Sequence, residues 1–244
     1  MELDPLGRFN DPKIRNKIPK SIFNKITKRI QYVKEGTNRI ELISGIKYPQ
    51  YYIEPFLPIQ KTSLEMGQTV FLFARTIPTT ITIPNTNKQS IAIIVQLSAA
   101  LIAFGNKGTI HGILAHEFLH YIEHVRRFTT KNIISDEIAN TIFESQYADA
   151  ERLYNPNLIF KDKSKGPALI KLMRKKFPNH TVEAKLINKT RELWMNKGLP
   201  YTKINPGANI AGFNFVTMTN TIFDPMVKQR INEIENIVKN KNKK

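Results

Sequence analysis

His116, Glu117 and His120 stand in the order His-Glu-x-x-His, with Phe118 and Leu119 between them. Four residues make a little more than one helical turn, so a helix carries both imidazoles on one face, one turn apart. Two neutral ring nitrogens placed that way can reach a single metal ion. Zinc suits such ligands. The glutamate after the first histidine leans toward the open coordination position, where a carboxylate can take a proton from water and pass it to a leaving amine. This spacing offers hydrolysis with Zn2+ as cofactor, His116 and His120 as metal ligands and Glu117 as general base. Four of the chain's five histidines lie between residues 111 and 124. His124 would have to reach back about 12 Å past the first ligand, so it reads as a supporting or surface group. His111 reads as structural, and His180 is remote in sequence.

A catalytic zinc usually has three protein ligands and one water. The chain has no cysteine, which excludes thiolate ligands, disulfides and a cysteine nucleophile and leaves His, Asp or Glu for the third position. Between residues 132 and 151 there are five acids and no basic residue, in a chain of net charge +17. If this stretch returns as a helix antiparallel to the first, Glu144 comes level with the metal. Glu137, two turns earlier on the same face, is the alternative, and Glu151 lies too deep. Asp149, off that face, could hydrogen-bond a ligand imidazole. Tyr147 could donate to a developing oxyanion.

The elements that must position these groups are legible from pattern. TVFLFARTI, TTITIP and SIAIIVQL are rich in β-branched residues and read as strands, with the turn PNTNKQ before the third. Such strands offer an edge on which an extended substrate can pair. AALIAF either continues the third strand or starts a short helix. Gly105 and Gly108 punctuate the chain, Thr109 is a plausible N-cap, and residues 110–128 read as the helix that carries the motif. The segment TTKNIIS is a loop. Ser135 caps a second helix over 136–154, with Asp136 and Glu137 in its first turn.

The flanks carry less information. Residues 1–65 read as helical and irregular, with a basic amphipathic stretch at 21–33 and a Pro-rich connection, YPQYYIEPFLPIQ, packed on the core at 66–155. Residues 156–244 read as a basic, mostly helical extension with an irregular segment at 199–214, a last helix from about 224 and a disordered tail, KNKNKK. From Asn155 onward there are 18 Lys and Arg against 6 Asp and Glu. That excess reads either as solubility, the basic residues being scattered, or as a surface for an anionic partner, nucleic acid or acidic protein, beside a peptide or protein substrate. Hydrophobic residues make up 41% of the 244, enough for a real core. The first twenty residues are polar, without a signal-peptide pattern. The most apolar run, 91–104, is too short to span a bilayer. The expectation is a soluble, cytoplasmic protein with no transmembrane segment.

Over residues 91–154 the chain resembles the gluzincins, metallopeptidases with two histidines from HExxH and a glutamate from the next helix. IAIIVQLSAALIAFGNKGTIHGILAHEFLH is similar to the strand, short segment and active-site helix of the group that includes CAAX prenyl proteases and the heat-shock membrane protease. FESQYADAERLY resembles that group's Glu-x-x-Ala-Asp segment. The resemblance implies an α+β, zincin-like domain (a small sheet, an active-site helix and a glutamate helix). It also implies zinc at His116 and His120, Glu117 as base and a glutamate ligand in the FESQYADAERLY segment. It further implies a soluble variant, since the membrane members' spanning helices are missing. One departure stands out: the family's glutamate lies four residues before the aspartate, at Ser145 here, so Glu144 is one residue early. A related pattern, Glu-x-x-Ala-Asn, aligns Asp136 with Asn140, again imperfectly. The functional expectation is a zinc metallopeptidase. The alternative is a weak or inactive zincin-fold binding or regulatory protein, associated with nucleic acid through its basic C-terminal part.

Overall fold

The computed structural model describes residues 3–61, 69–82, 89–130, 172–173, 175–179, 182–204 and 222–223, with side chains outside the description at 61, 78–82, 89–91, 123–130 and 222–223. After a short helix α1, Pro12–Arg15, the chain enters the long helix α2, Lys20–Ser44. Ile22, Ile26, Val33 and Ile40 recur at helical spacing and are buried, while Lys25, Lys28, Lys34 and Arg39 are exposed and Arg29 turns to the Ile102 and Gly105 carbonyls. The basic amphipathic pattern at 21–33 is therefore the first half of a longer element. Gly45 ends it at φ 67°, donating its N–H to the Glu41 carbonyl at 2.8 Å. A residue with a Cβ would be strained in this left-handed conformation.

Two small sheets follow. In the first, β1 (Tyr51–Glu54), β5 (Gln89–Ser98) and β4 (Ala74–Thr82) lie in the order β1-β5-β4, with β7 (Ile222–Phe223) also paired to β5. β1 runs parallel to β5 and β4 antiparallel to it, so that Tyr52, Gln96 and Arg75 form one row and Tyr51, Val95 and Thr76 the next. In the second sheet β2 (Leu57–Lys61) lies between β3 (Thr69–Phe71), antiparallel, and β6 (Tyr201–Ile204), parallel. The proline-rich stretch read as a connection thus forms two strands, β1 fitting between Pro49 and Pro55. The pattern TVFLFARTI divides. Val70, Phe71, Leu72 and Phe73 are all buried, so the two-residue alternation of a single strand fails. The chain crosses there from one sheet to the other. Leu72 N–H still bonds the Pro58 carbonyl at 2.9 Å, and the Phe73 carbonyl already accepts from Ser98 N–H at 2.8 Å. β4 then continues through Pro78. Proline has no N–H to give a ladder and is tolerated at a sheet edge. Accordingly, β5 is the only strand beside β4 among the described residues.

AALIAF is a helix, α3 (Ala99–Phe104), capped by Ser98, whose Oγ accepts from Leu101 N–H at 3.2 Å. The motif helix α4 spans Lys107–Thr130 and so starts one turn before residue 110. Thr109 lies inside its first turn. The cap comes instead from Glu183, whose carboxylate accepts from Asn106 N–H and from the Thr109 hydroxyl. An acid at that end also suits the helix dipole. α4 packs between the first sheet and α2. One face presents His111, Leu114 and Phe118 to α2 and Tyr48. At its closest, a Cβ built on Gly36 would stand 2.7 Å from Leu114 Cδ1 and 2.8 Å from His111 Cδ2.

Further on, α5 (Ala184–Thr190) runs into a π-helical turn, Arg191–Asn196, that buries Trp194 edge-on against Phe104 at 6.4 Å. Met173, Phe177, Leu186 and Trp194 share the core of α3 and α4. β6 occupies part of the stretch read as irregular. The helices expected at 136–154 and from 224 lie outside the described residues. The architecture is mixed α and β, as the sequence pattern implies. No helix among the described residues is long and apolar enough to cross a membrane.

Candidate active site

α4 brings the three motif residues together inside the molecule. His116 is 4% exposed, Glu117 2% and His120 7%. Polar groups buried to this degree are costly unless each has a partner. The two imidazoles meet edge to face, with centroids 4.5 Å apart and planes at 70°, and their Nε2 atoms are 2.9 Å apart. Without a metal, one ring's N–H donates to the other's lone pair. With both lone pairs turned inward, the same arrangement faces a single cation. At zinc–nitrogen bonds of about 2.0–2.1 Å, two tetrahedral ligand nitrogens stand about 3.3 Å apart. The rings need to open by only a few tenths of an ångström, so the pair fits zinc.

Glu117 points from the same helix toward β4. There the Thr76 hydroxyl donates to its Oε2 at 2.7 Å and lies 3.1 Å from its main-chain carbonyl oxygen. On the other side of α4, Tyr48 donates its hydroxyl to the Leu114 carbonyl at 2.9 Å, and its ring stacks on Phe118 with centroids 5.9 Å apart. Burial first, then the charge of Glu117 and the neighbouring Tyr51, push the Tyr48 phenol well above its ordinary pKa. It therefore stays protonated and remains a donor.

The preceding residue on β4, Arg75, turns to the opposite face of the sheet. Its Nε donates to Gln96 Oε1, and Gln96 Nε2 donates to the Tyr52 hydroxyl at 2.5 Å and to Glu54 Oε2 at 3.3 Å. Burial lowers the Arg75 pKa, while Tyr52, Glu54 and Glu117 pull it up. A buried charged network thus lies behind the strand that touches Glu117.

His111 is also buried, on the α2 face of α4, and donates its Nε2–H to the Tyr32 carbonyl at 3.0 Å. It ties two helices and does not join the histidine pair. The proposed ligands Glu144 and Glu137 lie outside the described residues, as do Asp149, Tyr147, Glu151 and His180. The side chain of His124 does too. Among the described residues no group of three or more His, Asp or Glu side chains is arranged to hold a metal ion. Thr76 was not singled out in the sequence, where it reads as one more β-branched strand residue. Its contact crosses 41 positions, and no local spacing encodes that.

Comparison of the chain with protein-family models, with curated proteins and with solved structures finds no match to any of them.

Proposed function

We propose that the chain is a zinc-dependent metallopeptidase of gluzincin type, built on a zincin-like arrangement of sheet and motif helix. The observation that carries this reading is the buried HExxH triad, with its two Nε2 atoms 2.9 Å apart and Glu117 buried on the same helix. An ordinary amphipathic helix would leave such residues in solvent. His116 and His120 would hold the zinc with a carboxylate, Glu144 or Glu137. When bound, zinc acts as a Lewis acid that makes water nucleophilic at neutral pH and polarises a scissile carbonyl. Glu117 takes the proton of the attacking water at Oε1, the oxygen away from Thr76, and delivers it to the leaving amine. Burial of the triad excludes bulk water and strengthens each of these interactions. β4 runs alongside, bordered by β5 on one side, and its outer edge is where an extended peptide would add as a further strand.

The test measures zinc in the purified full chain by elemental mass spectrometry and follows cleavage of dye-labelled casein. About one zinc per chain is expected, absent from His116→Ala. Glu117→Gln keeps the zinc and loses cleavage by roughly 100-fold or more. A chain that takes up no zinc on reconstitution, or a Glu117→Gln variant that cleaves at the wild-type rate, would falsify the reading.

A further inference from the structure

We infer that Thr76 is a positioning residue for the Glu117 carboxylate, holding the proposed general base in place from β4. The inference rests on the peptidase reading and deepens it. Thr76 is 3% exposed, and a hydroxyl buried that far needs a partner. It finds two oxygens on one residue: Glu117 Oε2 at 2.7 Å and the Glu117 carbonyl at 3.1 Å. A hydroxyl has one proton to donate. The shorter contact has the length of a hydroxyl–carboxylate bond, so the carboxylate takes most of it.

The consequence is geometric. A glutamate side chain turns about three bonds, and only some of its rotamers keep the carboxylate where the Thr76 hydroxyl meets it. Thr76 engages the main chain and the end of the side chain together, which restricts the torsions between them. The strand also selects which donor is offered. Successive residues of a strand face opposite ways, so Arg75 is turned to Gln96 on the far face while Thr76 meets the base. A shift of one residue in the register of β4 would put the guanidinium where the hydroxyl stands. Threonine serves the strand through its branched carbon and the site through its oxygen, and valine would serve only the strand.

The test uses the full chain reconstituted with zinc and compares Thr76→Val, which keeps the shape, with Thr76→Ser, which keeps the hydroxyl. Zinc content should equal wild type in both. On dye-labelled casein, Thr76→Val should lower kcat by about 10- to 100-fold with KM within about threefold, and Thr76→Ser should recover to within about threefold of wild type. Wild-type kcat in Thr76→Val, or a Thr76→Ser variant as slow as Thr76→Val, overturns the assignment. A second measurement needs no activity. Urea midpoints of the zinc-free chain are compared for Thr76→Val, Glu117→Ala and the pair. Thr76→Val should lower the midpoint clearly less when Glu117 is already alanine, and equal shifts in both backgrounds overturn the contact. If wild type itself leaves casein intact, the peptidase reading falls, and the midpoints alone decide whether Thr76 holds that carboxylate.

Discussion

The Nε2 atoms of His116 and His120 face each other at 2.9 Å in a site almost closed to solvent. Such a pair either shares one proton-mediated bond or shares a cation, and the two states differ in stability. We expect zinc to raise the thermal midpoint of the metal-free chain. At a free concentration 100-fold above the dissociation constant the gain is about 2.7 kcal/mol. In His120→Ala the rise should vanish. Melting curves with chelator and with added zinc check this, and a midpoint indifferent to zinc in the wild-type chain would count against the site.

The third ligand can be separated by affinity. If Glu144 completes the site, Glu144→Ala should weaken zinc binding by at least 100-fold, while Glu137→Ala leaves it within a few-fold. Competition with a fluorescent chelator measures both. The opposite ranking would make Glu137 the ligand and would place the metal two turns nearer the start of the expected second helix.

His111 should make stability depend on pH in one direction. Burial lowers its pKa below the ordinary 6.5; the Tyr32 carbonyl and Glu35 oppose this, while Lys107 and Arg39 add to it. The folded state then binds this proton less readily than the unfolded one. The stabilisation is complete above about pH 6.5 and is lost as pH falls through the folded value. Urea midpoints of the zinc-free chain should fall below pH 6.5 by a larger step in wild type than in His111→Gln. Parallel curves for the two proteins would show that His111 is not responsible.

Gly36→Ala sets two effects against each other. Alanine favours a helix interior by about 1 kcal/mol over glycine. Here its methyl would come within 2.7 Å of Leu114 Cδ1 and 2.8 Å of His111 Cδ2. Leu114 is fully buried and the imidazole is tethered to Tyr32, so neither can swing aside. Overpacking costs about 1–3 kcal/mol and should win. Urea denaturation of Gly36→Ala should show a net loss of stability; a gain would mean that α2 and α4 separate more easily than their contacts suggest.

What was legible in the sequence was what is encoded locally. HExxH defines a helical face by spacing alone, and α4 does carry both imidazoles on one side. The apolar run of β5 was readable as a strand from its β-branched residues, while AALIAF, open between strand and helix, is the helix α3. Pairings across long separations were not. The Thr76 hydroxyl meets Glu117 only because β4 happens to pack under α4. The cap of α4 comes from Glu183, more than seventy residues away, whereas local rules pointed to Thr109. Prolines at 49, 55 and 58 signalled a connection and concealed two short strands that fit around them. The split of 69–77 between two sheets was invisible to a rule that reads alternation, because four successive residues are buried.

The strand order has a consequence for how the molecule is made. Leu57 pairs with Tyr201 and Ser90 with Ile222, both in parallel ladders. Such distant parallel partners meet late, after the entropy of a very long closure has been lost. During vectorial synthesis, a chain that has emerged only as far as α4 already holds the complete HExxH motif. At that stage β2 still lacks β6 and β5 still lacks β7, leaving edges that other strands could join. In the order of translation, the HExxH motif precedes the completion of the sheets that frame it.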